Sequence, residues 1–79
     1  MNRSELEAKI LELVAMSYKK DVATLSMDTR IREDLGGTSV LMVGLVSEIE
    51  NELDVMVQLA DAASFKTIAD LVNKVEEEM

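Results

Sequence analysis

The stretch Asp34-Leu35-Gly36-Gly37-Thr38-Ser39, continuing as Val40-Leu41-Met42-Val43-Gly44-Leu45-Val46-Ser47-Glu48-Ile49-Glu50-Asn51-Glu52-Leu53, decides the fold. Two adjacent glycines let the backbone turn sharply or take positive φ. A Ser or Thr at such a junction is the ordinary helix N-cap. Beyond it, Met42, Leu45, Val46, Ile49 and Leu53 recur at i, i+3, i+4, i+7 and i+11, one apolar stripe of a helix. The spacing predicts a helix over residues 39–52. A second set, Val40, Val43, Gly44 and Ser47, has the same spacing on a neighbouring face, and Leu41 adds an apolar side chain near the start. A small domain cannot bury every side of such a helix, so its first half is expected to leave apolar surface exposed beside Ser39. Surface of that kind marks a partner site; a central helix buried on most of its sides is the alternative. The first turn carries unpaired N–H groups and the positive end of the helix dipole, so a phosphate attached at Ser39 would be well placed. The alternative is a hydroxyl that serves as a helix cap and nothing more.

Working back toward the N-terminus, Ser4 with Glu7 has the spacing of a capping box, followed by Leu6, Ile10, Leu13, Val14 and Ser17 on one face. This predicts a first helix from about Glu5 to Tyr18, with Lys19 and Lys20 in its last turn at the negative end of the dipole. From Asp21 to Gly37 the periodicity fails, and Asp21, Thr24, Ser26, Asp28 and Thr29 are turn formers. A long loop is expected there, with one helical turn near residues 22–25 and with Leu25, Met27, Ile31 and Leu35 pinning it to the core. Loops of this length are often functional.

Towards the C-terminus, Val55-Met56-Val57 reads as an extended connector because no second strand exists to pair with it. Residues 59–63 make at best a short third helix. Thr67 with Asp70 is a second capping box, and Ile68, Leu71, Val72, Val75 and Met79 form the stripe of the last helix. The expected architecture is all-α: three main helices, a short third one and a long loop between the first two, in a single domain over residues 1–79.

Composition narrows the function. The 79 residues are 48% hydrophobic, too apolar for disorder, and carry sixteen acidic against eight basic residues, a net charge of −8. Such a chain repels nucleic acid and anionic membranes and attracts basic protein surfaces. With no cysteine and no histidine it lacks a thiol nucleophile, a thiolate metal site and a base to activate Ser39, so neither a catalytic residue nor a metal ligand is expected. No stretch has the length of a membrane span or a signal peptide's apolar region, which makes the cytoplasm the default location.

The run ending at Ser39 resembles the Asp-Leu-Gly-x-Asp-Ser-Leu attachment site of acyl carrier proteins, and also the Leu-Gly-Gly-His/Asp-Ser variant of peptidyl carrier domains. Leu53-Asp54-Val55-Met56-Val57 resembles the Phe-Asp-Ile-x-Ile that follows the second helix in acyl carrier proteins. Phe65-Lys66-Thr67-Ile68-Ala69-Asp70-Leu71 resembles the opening of their last helix. The order of helices matches as well. The resemblance implies an acyl-carrier-like bundle in which Ser39 carries 4′-phosphopantetheine, delivered from coenzyme A by a separate phosphopantetheinyl transferase. It also implies a non-catalytic monomer that presents thioester-bound acyl groups to acyl-transfer and synthase enzymes of fatty acid, lipid or polyketide synthesis. Thr38, Val40, Leu41, Val43, Gly44, Ser47, Glu48 and Glu50 fall where partners with basic or apolar docking surfaces would meet it.

Three departures stand out. Thr38 replaces the aspartate that usually precedes the serine, Leu41 and Gly44 stand at positions often acidic in the family, and Gln58 stands where a proline is common. The acidic surface is therefore weakened beside Ser39 and kept at Glu48, Glu50 and Glu52. The Gly36-Gly37 pair keeps a peptidyl or aminoacyl carrier open, and Thr38 keeps open an unmodified, carrier-like interaction module.

Overall fold

The computed structural model describes residues 1–36, 39–62 and 64–79, with the backbone but not the side chain of Ser39. Four α-helices are present among them: α1 (Arg3–Tyr18), α2 (Ser39–Leu53), α3 (Leu59–Ala62) and α4 (Ile68–Glu78). The all-α bundle read from the sequence is the fold observed. α1 packs against α2 and α4, and α3 lies against α2.

α1 starts two residues earlier than expected because Asn2, not Ser4, closes the capping box. The Glu5 N–H donates to Asn2 Oδ1 at 2.8 Å, and the Asn2 N–H donates to Glu5 Oε1 at 2.9 Å. Glu7 accepts instead from Arg3 Nε at 2.8 Å. Arg3 also reaches α4, donating to Asn73 Oδ1 at 2.8 Å and Glu76 Oε1 at 3.1 Å, which holds the first turn of α1 in place. At the other end, Lys19 adopts φ 54°, ψ 49° and terminates the helix, so Lys19 and Lys20 follow the last turn rather than forming it. The buried face is Leu6, Ile10, Leu13 and Val14 as expected, but Tyr18 completes it and Ser17 is only half-buried.

The long loop contains the expected turn, a 3₁₀ turn at Val22–Thr24, and a second one the spacing did not reveal, a π-helical turn at Ile31–Leu35. Ile31 and Leu35 are buried, and Leu25 and Met27 pack against the same core. Backbone bonds to the start of α4 fix the loop. The Ile31 N–H donates to Lys66 O at 2.9 Å, Ile68 N–H to Thr29 O at 3.0 Å, and Ala69 N–H to Met27 O at 3.0 Å. Thus the loop is stitched to another element by main-chain bonds, which anchors the segment leading to α2.

α2 shows the two faces anticipated for it. Leu45, Val46 and Ile49 are buried, Met42 and Leu53 half-buried, while Val40, Val43, Gly44 and Ser47 are exposed. The helix is therefore not buried on most sides. It ends at Asp54, whose φ of 55° is tolerated by a short polar side chain. Val55 and Val57 then turn inward and Met56 outward, as an extended connector does. α3 spans Leu59–Ala62, and the expected last residue of this helix, Ala63, lies outside the described residues. The Thr67–Asp70 capping box opens α4 as expected, and Ile68, Leu71, Val72 and Val75 are fully buried. Met79 leaves the stripe: α4 stops at Glu78, beyond the last core layer, and Met79 is 57% exposed.

Candidate functional site

α2 begins at Ser39 itself. The capping role considered for the Ser39 hydroxyl rests on a side chain outside the described residues, as do Gly37 and Thr38 before it. What precedes them is well defined. The Arg30 N–H donates to Asp34 Oδ2 at 2.9 Å and its Nη2 to Asp34 Oδ1 at 3.3 Å, while Arg30 Nη1 pairs with Glu33 Oε2 at 2.6 Å. The backbone bond from Arg30, aided by its guanidinium, holds the Asp34 carboxyl below its ordinary range. Asp34 thereby closes the π-helical turn that ends at Leu35. Gly36 follows at φ 66°, ψ −151°, a region essentially reserved for glycine. The sequence motif marks Asp34 and Gly36 but not their roles; the Arg30/Asp34 spacing of four was the available signal.

On the first half of α2, Val40 is 74% exposed, and Val43, Gly44 and Ser47 also face outward. Glu48 and Glu50 are half-buried at the edges of this face. Leu41 departs from the expectation of a solvent-facing side chain: it is half-buried and packs against the core, because it faces α1 rather than solvent. Glu52 is drawn aside by Lys9 of α1, whose Nζ lies 3.5 Å from its Oε2. Between α1 and α2 runs a cleft of 230 Å³ lined by Met16, Ser17, Val40, Leu41, Gly44 and Glu48, which begins one residue past Ser39. Among the described residues no cluster of His, Cys, Asp or Glu is arranged to hold a metal ion, and no helix is long and apolar enough to cross a membrane.

A family profile described as a phosphopantetheine attachment site matches residues 8–75. The chain belongs to the acyl carrier family. Similar proteins include the acyl carrier protein of Rickettsia bellii (strain RML369-C), 36% identical over 72 residues, which cover 91% of this chain and 84% of that protein. The acyl carrier protein of Onion yellows phytoplasma (strain OY-M) is 38% identical over 64 residues, covering 81% and 84%. That of Exiguobacterium sp. (strain ATCC BAA-1283 / AT1b) is 26% identical over 76 residues, or 96% of each. The carrier's cofactor is covalently bound 4′-phosphopantetheine.

The residues present fit such a group. A serine opens a 15-residue helix, and the next residue, Val40, is largely in solvent, so among the described residues no element covers the helix at Val40. The helix end supplies positive potential for a phosphodiester. When bound, the group supplies the terminal thiol that this cysteine-free chain lacks.

Proposed function

We propose that Ser39 is the attachment residue and that the chain carries acyl intermediates as thioesters between enzymes of fatty acid, lipid or polyketide synthesis. A separate phosphopantetheinyl transferase loads the arm from coenzyme A, and the protein acts as a cytoplasmic monomer. The observation that carries the reading is the position of Ser39, the first residue of α2 inside the matched family segment. The chain's own residues have distinct parts in it. The Arg30–Asp34 contact and Gly36 hold the approach to the helix, and the helix N-terminus accommodates the phosphodiester charge. Val40, Val43, Gly44 and Ser47 form the surface that a partner meets first, with Leu41 supporting it from the core side and Thr38, outside the described residues, proposed from its place in the sequence to join that contact. Glu48 and Glu50 supply the acidic edge for a basic rim on the partner.

Intact mass of the protein from its native host, before and after hydroxylamine, tests this reading. A bound arm with an additional acyl mass that hydroxylamine removes is expected. Bare polypeptide, or an acyl mass that resists hydroxylamine, overturns it.

A further inference from the structure

Gly44 has no structural reason to be glycine. It sits in the interior of α2, where glycine is the poorest residue after proline. Apart from its own helix backbone, a Cβ added there would meet no atom within 4 Å, so no neighbour forbids a side chain, and its φ is not in the left-handed region. What the missing side chain does is leave room in the α1–α2 cleft. The walls of that cleft are largely apolar and open to solvent. Met16 of α1 is 63% exposed and Val40 of α2 is 74% exposed, two large apolar side chains at one depression. Ser17 and Glu48 add a hydroxyl and a carboxylate to the same lining.

We infer that this cleft is the resting seat of the arm carried by Ser39. The inference rests on the attachment proposed above and goes beyond it. The chemistry matches: the arm's dimethyl-bearing carbon suits Met16, Val40 and Leu41, and its amide N–H groups are donors for the Glu48 carboxylate and Ser17 hydroxyl. The location matches too, because Val40 and Leu41 directly follow the attachment residue. From Ser39 to Glu48 the helix rises only about 13 Å, which the extended arm spans. The seat is on the α1 side of α2, lined by residues of those two helices. It keeps the unloaded thiol end folded back on the carrier and leaves Val43 and Ser47 free for an approaching enzyme.

The methionines provide the readout. Met16 reports the cleft, Met27 and Met42 are half-buried against the core, and Met1, Met56 and Met79 lie in solvent. The protein is labelled with ¹³C-methyl methionine and loaded with an unlabelled arm, loading being confirmed by mass. Methyl cross-relaxation peaks to the arm are then recorded. The expected result is peaks from the Met16 methyl, with a shift on loading larger than for any other methionine, and their loss in loaded Gly44→Leu, which fills the cleft. Peaks on Met27 or Met42 in place of Met16, or none on any methionine, overturn the seat while leaving the attachment intact. Failure of mass to show loading at Ser39 overturns the attachment itself.

Discussion

Arg30 and Asp34 form a closed unit: the Arg30 N–H reaches Asp34 Oδ2 at 2.9 Å while its guanidinium reaches Oδ1 at 3.3 Å. The unit sits between two anchors, the buried side chains of Ile31 and Leu35 and the Ile31 N–H bond to Lys66 of the segment before α4. It therefore fixes the loop as far as Gly36, the last described residue before Ser39. Asp34→Ala should lower the melting temperature and slow loading of the arm. Arg30→Ala should do the same through the side-chain half of the contact only, with a smaller effect. Differential scanning fluorimetry and timed mass spectrometry of loading provide the check. Unchanged loading in Asp34→Ala would show that the turn does not position the site.

Acid should weaken the fold through the same carboxylate. Asp34 and Asp70 are both held below the ordinary carboxylate value, each chiefly by accepting backbone N–H bonds, from Arg30 for Asp34 and from Lys66 and Thr67 for Asp70. A depressed folded-state value means that the stabilisation is complete above the unfolded value of 3.8 and is lost as pH falls through it towards the folded value. Thermal melts from neutral pH to acid should therefore fall more steeply for wild type than for Asp34→Asn, which no longer titrates there. Parallel curves would contradict this.

The two candidate caps of α1 are separable by mutation. Asn2→Ala should cost about 1 kcal/mol, the usual loss for an N-cap, whereas Ser4→Ala should stay within about 0.5 kcal/mol. Urea unfolding measures both. Equal losses would place the helix start elsewhere.

The apolar face of α2 should distinguish docking from packing. Val40→Asp, at a largely solvated position, is expected to leave stability within about 0.5 kcal/mol while weakening turnover with the native partner. Leu41→Asp places a charge against the core and should destabilise by about 1–3 kcal/mol. Circular dichroism melts alongside partner assays separate the two. Full activity of Val40→Asp would remove this face from the docking surface.

Net charge should show in salt dependence. Arg3, Lys9, Arg30 and Lys74 each serve two or more acids, yet a balance of −8 remains. Raising salt from about 10 mM to about 200 mM shortens the Debye length from roughly 30 Å to under 10 Å and should raise the melting temperature. A flat or falling curve would mean that the ion pairs outweigh the repulsion.

The parts of the fold legible in the sequence are those set by local pattern. The stripes of α2 and α4 and the Thr67–Asp70 box needed only periodicity and capping chemistry. At the start of α1 two capping patterns, Asn2 with Glu5 and Ser4 with Glu7, coexist. The first one forms while Arg3 ties that turn to Asn73 and Glu76, contacts seventy and more residues away in the chain. The turn at Ile31–Leu35 was hidden for the same reason, since its anchor is the Lys66 carbonyl. At the site, Ser39 and the exposed Val40 were legible from the motif and the apolar pattern. The half-burial of Leu41 and the cleft beside Gly44 depend on how α1 crosses α2, which no local spacing encodes.

Attachment at Ser39 is the central claim, and peptide-resolved mass spectrometry tests it most directly. Wild type and Ser39→Ala are incubated with coenzyme A and a broad-specificity phosphopantetheinyl transferase, with circular dichroism confirming that both are folded. One phosphopantetheine on the peptide containing Ser39 in wild type, and none anywhere in Ser39→Ala, is the predicted result. A wild type that stays unmodified, or a Ser39→Ala protein that still gains the group, contradicts it.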